Sequence, residues 1–105
     1  MAELPDTPVP YEVVYSGAVL QELKAYARRA LAQGLGQEYL AALKEIDCRL
    51  RIYPQFGEPL KDLQLKPSQL WIGSIWPIVV RYTVDDERRM IFVVAPFLLL
   101  PKSDT

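Results

Sequence analysis

Two apolar arms separated by an acidic break dominate the second half of the chain. Ile78, Val79, Val80, Tyr82 and Val84 lead into Asp85, Asp86 and Glu87, and residues 90–94 lead out again. β-Branched and aromatic residues fit a half-buried pleated surface, so residues 76–96 predict a hairpin of two long strands. A lone hairpin is marginal in water, and the rest of the chain reads as its cover. Tyr11, Val13 and Tyr15 alternate with Glu12 and Val14, which predicts a first strand over residues 10–15. Ser16 stands as an N-cap before Val19, Leu20, Leu23, Ala27, Ala30 and Leu31, which recur at helical spacing. Lys24, Arg28 and Arg29 fall on the opposite, solvated side. Gly34 closes this helix, and the step Gly34, Leu35, Gly36 suits the reversal of a helical hairpin. A second helix starts near Gln37, turns Leu40, Leu43, Ile46 and Leu50 inward with Tyr39 beside them, and stops at Pro54.

Residues 55–67 read as a connection, punctuated by Gly57, Pro59 and Pro67 and tacked down by Leu60, Leu63 and Leu65. A third strand follows around Leu70, Trp71 and Ile72, with Gly73 as a bulge or turn. The predicted order is β-α-α-β-β-β, an α+β fold in a single domain over residues 1–105. Residues 1–9 form a loose lead-in and residues 97–105 a C-terminal tail.

Composition narrows the chemistry. At 105 residues, half of them hydrophobic, the chain makes one small domain with a real core. Twelve basic side chains against 13 acidic ones give a net charge of −1. That balance argues against nucleic-acid binding by bulk charge and leaves room for a local basic patch. Cys48 is the single cysteine, so no internal disulfide forms. There is no histidine, which removes Ser-His-Asp, Cys-His and His-metal chemistry. Glycine-rich phosphate loops and metal-ligand spacings are also missing, so no cofactor or metal is expected. Residues 1–10 are acidic and proline-rich, unlike a secretory signal. The longest apolar run, 90–100, is too short for a bilayer. The expectation is a soluble cytoplasmic protein with no membrane association.

Among the charged residues Arg81 is the most informative. It interrupts the apolar run and by alternation shares a face with Val79 and Thr83, opposite Val80, Tyr82 and Val84. On an open face it could bind a phosphate or a carboxylate; the plainer reading is an arginine covering apolar strand surface. Arg88 and Arg89 flank the turn, where pairing with Asp85, Asp86 or Glu87 is simpler than a phosphate contact. Lys61 and Lys66 are solvated loop charges or part of a basic site. Trp71 and Trp76 pack on the sheet or stack a base. Cys48 reads as packing, and Asp85 and Asp86 as turn residues.

Three stretches in order resemble the RelE/ParE superfamily, the toxin halves of bacterial toxin–antitoxin pairs. Tyr11, Val13, Tyr15 and Ser16 match its opening Y-x-V-x-Y-S. Leu50, Pro54, Gly57, Pro59 and Leu60 match L-x-x-x-P-x-x-G-x-P-L. Residues 79–95 resemble the hairpin R-V-x-Y-x-V-D-x-x-x-x-x-V-x-V. Order and spacing carry the resemblance, since each motif alone is mostly apolar alternation. It implies a small twisted, mainly antiparallel sheet, covered on one face by the helical hairpin and functional on the other, concave face. In the family's ribosome-dependent mRNA endonucleases that face bears lysines and arginines with a tyrosine or histidine. In the gyrase-directed relatives much of that set is absent. Both kinds are neutralised by an antitoxin segment wrapping the toxin.

Here the family's usual hairpin arginine falls on Val79, and the basic positions of the preceding strand fall on Leu70 and Ile72. The positions after the last strand fall in residues 96–100, where only Phe97 is aromatic and cannot exchange a proton. Tyr82 matches the hairpin tyrosine, but its parity puts it in the core. The resemblance therefore implies a toxin-family protein that acts by binding, to an antitoxin and to a ribosome or DNA gyrase. Arg81, Lys61, Arg89, Phe97 and Leu98 are its binding candidates, and Arg81 its one catalytic candidate. Phe97 and the leucines at 98–100 either fold back on the domain or form a patch for an antitoxin or a second copy, as in a homodimer. Two rival readings are an active mRNA endoribonuclease using Arg81 with Lys61 or Arg89, and a non-toxic interaction domain.

Overall fold

The computed structural model describes residues 9–64 and 69–99. Residues 1–8 of the lead-in, residues 100–105 of the tail, Leu65, Lys66, Pro67 and the side chains of Lys61 and Leu63 lie outside that description. Strand β1 (Glu12–Tyr15) leads into helices α1 (Gly17–Ala32) and α2 (Gly36–Ile52) and a single 3₁₀ turn (Pro54–Phe56). Strands β2 (Glu58–Gln64), β3 (Gln69–Ile75), β4 (Ile78–Asp85) and β5 (Met90–Leu98) follow. The sheet order is β1-β5-β4-β3-β2, with β1 parallel to β5 and every other pair antiparallel. The protein is thus α+β, with two helices and an open, mixed, five-stranded sheet.

Local chemistry sets the helix ends. The Val19 amide donates to Ser16 Oγ at 3.2 Å, which caps α1. Gly34 takes a left-handed φ of 76°, and the Leu35 amide returns to the Ala30 carbonyl at 2.8 Å. Val19, Leu23 and Ala30 of α1 and Tyr39, Ala42, Ile46 and Leu50 of α2 are buried against the sheet. Leu20, Leu31 and Leu40, expected inside, are exposed. The Tyr39 hydroxyl donates to the Leu23 carbonyl at 2.7 Å. That bond and the small Ala42 turn the 39–42–46–50 stripe inward and leave Leu40 outside. Cys48, expected to pack, is exposed on the far side of α2.

The sheet differs from the sequence reading in two places. Residues 58–64, read as connection, form the edge strand β2, in which Glu58 pairs with Ile72 and Pro59 with Trp71. An edge tolerates a proline that a central strand would not, and Gly57 and Pro59 disguise the strand as a loop. β5 also runs on to Leu98, so residues 97 and 98 belong to the sheet rather than to a tail. Gly73 makes no bulge, since β3 and β4 pair without a register shift from Gln69–Val84 to Ile75–Ile78. A Cβ at Gly73 would meet the Phe56 ring at 2.6 Å, so the glycine admits that ring. Phe56 and Trp71 stack on Tyr82, centroids 5.9 and 6.4 Å away, and the Tyr82 hydroxyl donates to the Pro54 carbonyl. Tyr82 is therefore a core residue, as its parity requires.

Candidate functional site: the open face of the sheet

Burial alternates without a break along β4. Ile78, Val80, Tyr82 and Val84 are buried, while Val79, Arg81, Thr83 and Asp85 are partly exposed on the other face. The helices lie over the first set, so Arg81 faces away from them. In β5 Ile91 and Val93 are the inward residues, opposite Val84 and Tyr82. Strict alternation would then send Phe97 inward too. Instead the register shifts between Arg81 and Tyr82, whose partners are Ala95 and Val93, so Val94 is the extra residue of a bulge. Beyond it the parity flips. Pro96 turns inward, Phe97 pairs with Val79 on the open face, and Leu98 packs against the core.

The flip brings Phe97 to Arg81. The guanidinium carbon lies 5.0 Å from the ring centroid, a cation–π contact. Across the strands Arg81 has Ile72 on β3 and Ala95 on β5 as register partners, with Val79 and Thr83 above and below it on β4. The open face is thus largely apolar around one guanidinium. None of these neighbours titrates near neutral pH, so the arrangement can hold an anion, a carboxylate above all, but offers no proton-transfer group beside it. Beside Ile72 and Val79, at the β2–β3 edge, a hollow of about 440 Å³ adds the Glu58 carboxylate and the Ser74 hydroxyl.

Arg89 and Leu98 do not join Arg81 and Phe97 here. Arg89 lies in the turn after β4, where its Nε and Nη2 donate to the Val9 carbonyl at 3.1 and 2.6 Å. Its guanidinium also covers the Tyr11 ring at 4.5 Å. Arg89 holds a φ of 54°, and the Tyr11 hydroxyl donates to Asp86 at 2.7 Å, so this corner fastens the turn to the first strand. The expected turn pairing belongs to Arg88, whose Nε is 3.7 Å from Asp85. Leu98 is partly buried and packs against the core rather than standing on the open face. Trp71 packs on Tyr82, whereas Trp76 is exposed in the β3–β4 turn.

The sequence reading missed a polar cluster on the helical side. The Tyr15 hydroxyl donates to Asp47 Oδ1 at 2.6 Å, and Arg51 reaches the same carboxylate at 2.8 and 3.2 Å. Burial opposes the Asp47 charge, but the Arg51 and Tyr15 hydrogen bonds and the Arg51 charge outweigh it and hold the carboxyl below its usual range. The i,i+4 spacing of Asp47 and Arg51 was the available signal. Among the described residues no group of three His, Cys, Asp or Glu side chains could hold a metal ion. No described helix is long and apolar enough to cross a membrane. Compared with known protein families, curated proteins and solved structures, the chain finds no match in any of the three.

Proposed function

We propose that this chain is a RelE/ParE-like toxin-family protein that acts by binding, and that a partner polypeptide of the antitoxin kind lies on the open face of its sheet. The observation that carries the reading is the face itself: a largely apolar surface that no described helix covers, with Arg81 held over Phe97 at its centre. A partner suited to it sets apolar side chains against Val79, Ile72 and Phe97 and brings a carboxylate to Arg81. The helical hairpin across the opposite face supports the resemblance, as does the antiparallel run of strands after it. Binding is preferred to mRNA cleavage because the register neighbours of Arg81 offer no general base or acid. A ribosome or DNA gyrase remains the proposed cellular target.

Expression in a bacterial host, alone and with the neighbouring small open reading frame, tests the reading. Growth arrest relieved by the neighbour supports it. Harmless expression together with no binding to the neighbour's product would leave only the non-toxic interaction domain. Arg81→Ala separates the modes of action: under the binding reading it weakens capture of the partner, and under the endonuclease reading it abolishes mRNA cleavage.

A further inference from the structure

The side of the helical hairpin turned away from the sheet also carries exposed leucines. Leu31 is 71% exposed, Leu40 58% and Leu20 45%, although all three sit within the two helices. Their spacing places them along one line. Leu20, Lys24, Ala27 and Leu31 follow one stripe of α1, and Leu40, Leu43, Lys44 and Asp47 follow the facing stripe of α2. Between the stripes runs a seam with a hollow at each end. One, of about 410 Å³, is lined by Leu20, Leu23, Leu43 and Lys44 above the Tyr15–Asp47 pair. The other, of about 320 Å³, is lined by Ala27, Leu31, Tyr39 and Leu40.

Apart from Asp47, the charge along the seam is basic. Lys24, Arg28 and Lys44 are exposed on or beside the two stripes. Among the described residues none of the three takes part in an ion pair. The one carboxylate in the seam, Asp47, is already bound by Arg51 and Tyr15. Glu22, Glu38 and Glu45 fall on the outer flanks of their helices, away from the seam. A second copy would set basic stripe against basic stripe, which costs electrostatically. An apolar ridge flanked by acidic residues meets both features at once.

We infer that this seam is a docking groove for an amphipathic helix carrying a leucine-type stripe with acidic flanks. The helix packs its apolar ridge between α1 and α2 as a third helix, filling the two hollows, while its carboxylates face Lys24, Arg28 and Lys44. The groove is on the other side of the sheet from Arg81, so it is a second surface, independent of the proposed partner site.

Two synthetic amphipathic helices test this, identical in their leucine stripe but flanked by glutamates in one and by lysines in the other. Binding to the full chain is read by fluorescence anisotropy at low and high salt. The glutamate peptide is expected to bind, more weakly at high salt, and the lysine peptide at least about tenfold more weakly. Leu40→Asp should abolish binding, and Lys24→Glu with Lys44→Glu should invert the preference. All three positions are exposed, and circular dichroism checks that the variants stay folded. Arg81→Ala should leave peptide binding unchanged, which keeps the outcome separate from that of the open face. Equal binding of both peptides, or of neither, overturns the inference. So does concentration-dependent self-association in sedimentation that Leu40→Asp abolishes, which would assign the seam to a second copy.

Discussion

Arg81 lies 5.0 Å from the centre of the Phe97 ring, although the two residues belong to strands whose simple alternation would place them on opposite faces. The extra residue at Val94 changes the parity of β5 and delivers the aromatic ring to the guanidinium. The contact stiffens a long side chain at the middle of an otherwise apolar surface. It also presents the guanidinium ready to meet an anion.

That contact should be measurable as a coupling. In a cycle of Arg81→Ala, Phe97→Ala and the double variant, chemical denaturation should show an interaction of about 0.5–1 kcal/mol, the range for cation–π pairs at partly exposed sites. Strictly additive effects would mean that the two side chains do not sense each other.

The two glycines around Tyr82 should differ in their tolerance of a methyl group. At Gly73 an added Cβ meets the end of the Phe56 ring, which can tilt aside. At Gly57 it meets the Ile72 backbone carbonyl, fixed in the ladder, and the Tyr82 hydroxyl at 2.7 Å. Overpacking costs about 1–3 kcal/mol when the neighbours cannot yield. Gly57→Ala should therefore lower the urea midpoint more than Gly73→Ala does, and the reverse order would contradict the packing described.

Stability should fall at both ends of the pH scale, for different residues. Asp47 holds its proton more weakly folded than unfolded, so its contribution is present above about pH 4 and is lost as pH falls through the lower, folded value. Asp47→Asn should flatten that acid loss. Burial pushes Tyr39 and Tyr82 up to about 12, and it raises Tyr15 too, helped by the Asp47 hydrogen bond and charge. Their contribution is whole below about pH 10 and is lost as pH rises through the folded values. The tyrosinate absorbance of these three, out of the chain's six tyrosines, should therefore appear late and together with alkaline unfolding. A single sharp rise near pH 10 with the fold intact would contradict this.

Where one period ran unbroken, the sequence carried the structure. The alternation of 78–84, the Ser16 cap, the Gly34 reversal and the stop at Pro54 were legible because each is a local preference that packing did not oppose. β2 was hidden because an edge strand obeys weaker rules and carried turn residues at Gly57 and Pro59. The face of α2 was misjudged by one position because a hydrogen bond to another helix, from Tyr39 to the Leu23 carbonyl, decided the rotation. Arg81 could be placed on the open face from parity alone. Phe97 could not be joined to it, because no residue type announces a bulge at Val94. The Arg89 contact to Val9 spans 80 positions of chain and has no local signature.

The central claim is that alternate side chains of β4 divide a helix-covered surface from an open one. Thiol-modification rates test it most directly, measured for single cysteines introduced at 79, 80, 81, 82, 83 and 84 in a Cys48→Ser background. Val79→Cys, Arg81→Cys and Thr83→Cys should react readily in the folded protein. Val80→Cys, Tyr82→Cys and Val84→Cys should react only as fast as the protein unfolds. Equal rates along the strand, or protection at 79, 81 and 83 with reactivity at 80, 82 and 84, would contradict it.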